Sequence, residues 1–217
     1  MTEPTKVLLV DDHGLVRDSL AAWLHAQPDI AVIATASTAE DGLEAAINHT
    51  PDIIVFDIDM PGRLSFDVAK TIRTRLPEVR IAFLSAFFHD RFIEQALAVE
   101  AAAYITKSES PDVVAHAIRT VAAGGAYFSP EVQDRMVVDG RGVSLGSKRT
   151  RVDTLSPREL EVLRYIAKGL SKKEIGATMH ISVKTVDNHS TSLMAKLDVH
   201  DRVDLTRFAI REGLVEA

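Results

Sequence analysis

Five short apolar runs in the first half of the chain constrain its fold more than any other feature. They are KVLLV (6–10), IAVIATA (30–36), DIIVF (52–56), RIAFLS (80–85) and AYIT (103–106). Each is continuous rather than alternating and rich in Val and Ile, the pattern of strands covered on both faces. Between them lie stretches with helical spacing, such as HGLVRDSLAAWLHA (13–26) and DVVAHAIRTVAAGG (112–125), the second closing on Gly124-Gly125 as a helix stop. Strand followed by helix, repeated five times, predicts an α/β domain with a five-stranded parallel sheet covered by helices.

Beyond AYFSPEV the regularity fades. Residues 137–153, VVDGRGVSLGSKRTRVD, are rich in Gly, Ser and basic residues and show no apolar period, which reads as linker. The last 64 residues, 154–217, predict an all-α domain of four helices. Ser156 with Pro157 and Glu159 makes a capping box, and Gly169 ends that helix. Ser171 with Glu174 repeats the pattern, Ser182 caps the third helix, and Asp201 caps the fourth, which stops at Gly213. The expected division is 1–125, a linker over 126–153, and 154–217.

Charge follows this division. The net charge of −6 conceals 12 Lys/Arg against 21 Asp/Glu in residues 1–146, and 13 against 10 in residues 147–217. An acidic half joined to a mildly basic half keeps nucleic acid open as a partner despite the acidic whole. The chain has no cysteine, which excludes disulfides and thiolate chemistry. No apolar run is long enough for a membrane span, and the N-terminal residues lack the basic flank and apolar core of a secretory signal, so the expected address is cytoplasmic.

In an open parallel sheet, ligands gather at the C-terminal ends of the strands. The residues delivered there are Asp11 and Asp12 after the first run, Asp57 after the third, Ser85 after the fourth and Lys107 after the fifth. A single Asp at a strand end is usually a turn former or helix cap. Five suitable residues at four different strand exits are not explained that way. Converging carboxylates call for a cation, and all-oxygen ligation suits Mg²⁺. One carboxylate could then attack phosphorus, with Ser85 and Lys107 meeting the phosphoryl oxygens.

The segments VLLVDDHGLVRDSL, DIIVFDIDMPG, AFLSAF and AYITKS, in this order, resemble the receiver domain of bacterial two-component response regulators. The resemblance covers about the first 125 residues and implies a flavodoxin-like, doubly wound sheet. It also implies that Asp57 is the phosphoacceptor and that Asp11 and Asp12 hold Mg²⁺ with Asp57 and the backbone carbonyl of Asp59. Ser85 and Lys107 would sense the phosphoryl group, and Tyr104 would be the aromatic that changes rotamer on activation. There are departures. Receivers commonly carry Gly about where Ser65 stands and at Glu100 and Ala103, and many carry Pro where this chain has Ser108. Gly serves where backbone torsions are difficult for other residues.

In the C-terminal part, KKEIGATMHISVKTVDNHSTSL reads as helix, short turn and second helix. Val186, Leu193 and Leu197 form a stripe facing the bundle, which turns Lys184, Asp187, Asn188 and Thr191 outward. Asn can read adenine, Asp can accept from cytosine, and Lys suits phosphates. Many surface helices share this composition, but the whole stretch resembles the LuxR-type helix-turn-helix of NarL/FixJ regulators. That resemblance implies a recognition helix starting near Val183, with Thr185, Lys172 and Lys173 joining the DNA-facing set. It also implies subunit pairing through the last helix, which places Val203, Leu205 and Phe208 either at a dimer contact or in the bundle core. Asp187 and Ser190 stand where basic residues often occur. His13 reads as a loop residue, and His189 as one that packs or caps.

The expected function is a transcription factor in which a sensor histidine kinase phosphorylates Asp57 and thereby controls dimerisation and binding to double-stranded DNA. The chemistry is self-phosphorylation, without turnover on a free substrate. Two alternatives stand beside it. A regulator that ignores phosphate would explain the missing glycines. A haloacid-dehalogenase-like phosphatase would use Asp57 and Asp59 as a D-x-D element, against which stand the preceding Asp11-Asp12 pair and the module that follows.

Overall fold

In the computed structural model, which describes residues 3–58, 60, 65–86, 90–139, 142–145 and 151–215, each of the five apolar runs is a strand. They are β1 (Thr5–Val10), β2 (Ile30–Ala36), β3 (Ile53–Asp57), β4 (Arg80–Ser85) and β5 (Ala103–Thr106). Helices α1 (Gly14–His25), α2 (Ala39–His49), α3 (Ser65–Arg75), α4 (Asp90–Ala98) and α5 (Pro111–Ala122) alternate with them. All pairings in this sheet are parallel, in the order β2-β1-β3-β4-β5. The chain therefore winds outward from β1 in both directions, and β1 and β3 flank the switch point where such sheets bind ligands.

Continuous apolar runs are required because both faces are covered. On one face Val7, Leu9, Ile53, Val55, Leu84 and Ile105 join Leu24 of α1 and Val114, Ile118 and Val121 of α5 in one core cluster. Successive side chains point to opposite faces, so Leu8, Val10, Ile54, Phe56 and Phe83, all buried, supply the other core. There Phe66 of α3 lies 4.7 Å from the Phe83 ring. Full burial of each such side chain is worth roughly 1.5–3 kcal/mol, so the doubly covered strands dominate this unit's stability.

A sixth strand, β6 (Tyr127–Phe128), extends the expected five, pairing in parallel with Ala103 and Tyr104. Two residues are too few to show a period. Main-chain bonds fasten this strand: Tyr127 N donates to Ala102 O at 2.9 Å and Ser129 N to Tyr104 O at 2.9 Å. The buried Ser129 hydroxyl accepts from Thr106 N at 2.9 Å. A short helix α6 (Pro130–Gln133) follows, then an antiparallel pair, β7 (Met136–Asp139) and β8 (Gly142–Leu145). The stretch expected as linker thus carries regular structure, which its Gly-rich composition conceals.

The chain divides into two compact units after Leu145. The second holds α7 (Pro157–Ala167), α8 (Lys172–Thr178), α9 (Val183–Leu197) and α10 (Arg202–Arg211), preceded by a 3-10 turn at Arg151–Thr154. Each expected cap forms. Ser156 and Ser171 make reciprocal capping boxes with Glu159 and Glu174. Ser182 accepts from Thr185 N, and Asp201 from Asp204 N. Gly169 and Gly213 take the left-handed backbone expected beyond a helix end, at φ +87° and +66°. Val186, Leu193 and Leu197 are buried as expected, together with Leu205 and Phe208. Val203 stays 58% exposed, which separates it from the two bundle-core residues.

Candidate functional site

The acidic pocket is built at the switch point. β1 ends at Val10 and delivers Asp11 and Asp12, while β3 ends on Asp57 itself. Val10 and Phe56 are register partners in the parallel pair, so the carboxylates that follow them arrive side by side. Asp57 is only 1% exposed, Asp11 is buried, and Asp12 is half-buried. Ser85 is fully buried at the end of β4, and its carbonyl accepts from Lys107 N at 2.7 Å. That bond ties the exits of β4 and β5 together.

Lys107 reaches across the pocket. Its Nζ lies 2.8 Å from Asp11 Oδ2 and 3.0 Å from Asp57 Oδ2. Burial opposes the lysine's charge, but Asp57 and then Asp11 more than offset this and hold its pKa above the ordinary lysine value. The ammonium is therefore present throughout the neutral range as a fixed positive neighbour of Asp57. All five strand-exit residues expected from the sequence are brought to this end of the sheet. Tyr104 is fully buried on β5. Asp59 lies outside the described residues.

Three further residues belong to the site and were not assigned to it from sequence. Ser65, where receivers commonly carry Gly, is buried at the start of α3 and donates to the Asp57 carbonyl at 2.8 Å. Arg17 Nη1 donates to the Asp11 carbonyl at 2.9 Å. His13, read as a loop residue, stands in the acidic cluster with Nδ1 2.9 Å from Asp12 Oδ1. Its position directly after the acid pair was the only local signal.

The second candidate surface is the exposed face of α9. Lys184, Asp187, Asn188 and Thr191 all face solvent, and Thr185 is half-buried against Ser182. Lys172 of α8 forms an ion pair with Asp187, and Lys173 is exposed beside it. Ser190 does not belong to this face: it is buried, with its hydroxyl donating to the Val186 carbonyl at 2.8 Å. A basic residue there would have pointed into the bundle. His189 is half-buried on the same helix. A Cβ on Gly176 of α8 would fall 2.9 Å from the Ile181 carbonyl, so only Gly lets the turn fold back this tightly against α8.

Behind α9, Glu159 anchors the bundle. Its buried carboxylate accepts from Ser156 N at 2.7 Å, Ser192 Oγ at 2.6 Å and Lys196 Nζ at 2.7 Å. Burial pushes its pKa up, but the bonds from Lys196, Ser192 and Ser156 outweigh that and bring it down to about 2.

Comparison with known proteins finds two family matches, one over each of these regions. Residues 7–119 match the response regulator receiver domain, and residues 153–209 match the bacterial regulatory proteins of the luxR family. The chain is 36% identical over 210 residues to the transcriptional regulatory protein LiaR of Bacillus subtilis, covering 97% of this chain and 99% of that one. It is 38% identical over 217 residues to the transcriptional regulatory protein MctR of Rhizobium johnstonii, covering 99% and 98%. In fold it resembles the RcsB response regulator of Salmonella typhimurium, with a TM-score of 0.72 at 20% identity over 98% of this chain and 100% of that one.

Proposed function

The chain belongs to the response regulators that join a receiver domain to a LuxR-type DNA-binding domain, and from that membership we propose that phosphorylation of Asp57 by a sensor histidine kinase switches dimerisation and binding to double-stranded DNA. The observation that carries this reading is Asp57 itself, buried at the end of β3 with the Lys107 ammonium at 3.0 Å. A carboxylate oxygen of Asp57 forms the new P–O bond as the P–N bond of a kinase phosphohistidine breaks, and the electron pair leaves with the imidazole. Lys107 supplies positive charge to the transferred phosphoryl oxygens, and the buried Ser85 hydroxyl lies at the neighbouring strand exit to donate to them.

Asp11, Asp12 and Asp57 bring carboxylate oxygens within 4.8 Å of one another, a donor set that fits a hard divalent cation such as Mg²⁺. When bound, the ion neutralises the charge that gathers as phosphoryl oxygens meet these carboxylates. The relatives matched are transcriptional regulators, and no turnover on a free phosphomonoester belongs to this role. Among the described residues no helix is long and apolar enough to cross a membrane, in keeping with a cytoplasmic regulator.

In the DNA-binding reading, Asn188, Thr191 and Asp187 face the base edges, while Lys172, Lys173, Lys184 and Thr185 meet phosphates. The exposed Val203 on α10 supports a subunit contact through that helix. The departures from the usual glycines do not dismantle the pocket: Ser65 holds the Asp57 carbonyl, and Lys107 still reaches the carboxylate. The test is oligomeric mass and DNA affinity of the wild type and Asp57→Ala in Mg²⁺, with and without beryllofluoride. Dimerisation and tighter binding in the wild type alone are expected. Equal DNA affinity in all four samples would replace this reading with a phosphate-independent regulator.

A further inference from the structure

The side chain after the acid pair is not accounted for by a pocket of carboxylates alone. His13 N donates to Asp11 Oδ1 at 2.8 Å, which folds the loop back over the pocket and sets the imidazole against it. Its Nδ1 then lies 2.9 Å from Asp12 Oδ1, 3.4 Å from Asp11 Oδ1 and 3.9 Å from Asp57 Oδ2. Ligand atoms about 2.1 Å from one octahedral ion are about 3.0 Å apart when adjacent and about 4.2 Å apart when opposite. The imidazole spacings lie at the adjacent-ligand value for Asp12 and between the two values for Asp11 and Asp57.

We infer that His13 is a ligand-bearing side chain of this pocket, giving it a nitrogen donor and a preference for nitrogen-seeking divalent transition ions over Mg²⁺ beyond what carboxylates confer. The inference rests on the reading of the pocket as a divalent cation site. Its physical basis is that Mg²⁺ prefers oxygen and holds its water tightly, whereas imidazole binds Ni²⁺, Zn²⁺ and their neighbours far better than it binds Mg²⁺. Removing the imidazole therefore penalises the two classes of ion unequally. His13 has a side chain 56% exposed, so its replacement leaves the core untouched.

The experiment is calorimetric titration of the full, tag-free chain with Ni²⁺ and with Mg²⁺, in the wild type and His13→Ala, followed by displacement of Ni²⁺ with excess Mg²⁺. The Ni²⁺/Mg²⁺ affinity ratio should fall by about tenfold or more in the variant, within the range for loss of a metal-site side chain, while Mg²⁺ affinity changes by less than about twofold. Excess Mg²⁺ should displace Ni²⁺ from the wild type, and a paramagnetically shifted imidazole proton should appear in its NMR spectrum and be missing from His13→Ala. An unchanged ratio, or a paramagnetically shifted imidazole signal that persists in His13→Ala, would place the Ni²⁺ on other histidines and overturn the inference while leaving the Mg²⁺ site standing. Failure of the wild type to bind either ion would overturn the cation site itself.

Discussion

Glu100 holds a left-handed backbone, φ +55°, where receivers commonly carry Gly. For a residue with a Cβ this conformation costs about 1–2 kcal/mol. The Glu100 carboxylate pairs with Arg73 of α3, but an exposed ion pair returns only about 0–1 kcal/mol. Backbone strain should win. Glu100→Gly is therefore expected to stabilise the protein by about 0.5–1 kcal/mol in urea unfolding, less whatever flexibility Gly adds to the unfolded chain. A destabilised variant would show that the Arg73 pair outweighs the torsion. The unusual turn was legible from sequence as a missing glycine. The Arg73 partner was not, because it comes from a helix 27 positions away.

Among the helices, Glu159 ties α7 to α9 through Ser192 and Lys196. Its folded pKa, about 2, lies below the ordinary 4.5, so its contribution is complete above 4.5 and is lost as pH falls toward 2. Wild-type stability should drop by on the order of 2 kcal/mol across that window from this group alone. In Glu159→Gln, urea unfolding between pH 5 and 2.5 should lack that part of the slope. An identical slope in both proteins would move the anchor elsewhere. The capping box made Glu159 visible in sequence, but only as a local cap: Ser192 and Lys196 reach it from 33 and 37 positions away.

The turn between α8 and α9 carries a second consequence. Gly176→Ala puts a methyl 2.9 Å from the Ile181 carbonyl, against backbone that cannot easily yield. Such overpacking costs about 1–3 kcal/mol. The variant should lose stability, and its DNA affinity should fall further than that of a surface control such as Ala177→Ser. If melting temperature and affinity both held, the close approach would not be setting the angle between these helices.

For the chain as a whole, residues 147–217 have only a small excess of basic residues, and part of it is spent internally where Asp187 holds Lys172. Each phosphate neutralised adds about 0.9 to the slope of log affinity against log salt. Asp187→Lys introduces one positive charge and releases another, so the slope for nonspecific duplex should steepen by about 1–2. Lys184→Ala should make it shallower by about 1. A slope unmoved by both changes would remove this face of α9 from the DNA contact.

Periodic signals carried the sequence reading furthest: the five continuous strands, the helices between them, the caps at Ser156, Ser171, Ser182 and Asp201, and the acids at the strand exits. These are local, since a period of two or 3.6 and a cap three residues from its partner are written within one element. Packing decided the rest. Whether Leu205, Phe208 or Val203 faces the bundle depends on neighbours from other helices. β6 is fixed by main-chain bonds from Tyr127 N and Ser129 N to the Ala102 and Tyr104 carbonyls, in a segment with no period of its own. Ser65 and His13 became part of the pocket only when β1 and β3 lay side by side, because parallel pairing brings residues more than forty positions apart to one edge of the sheet.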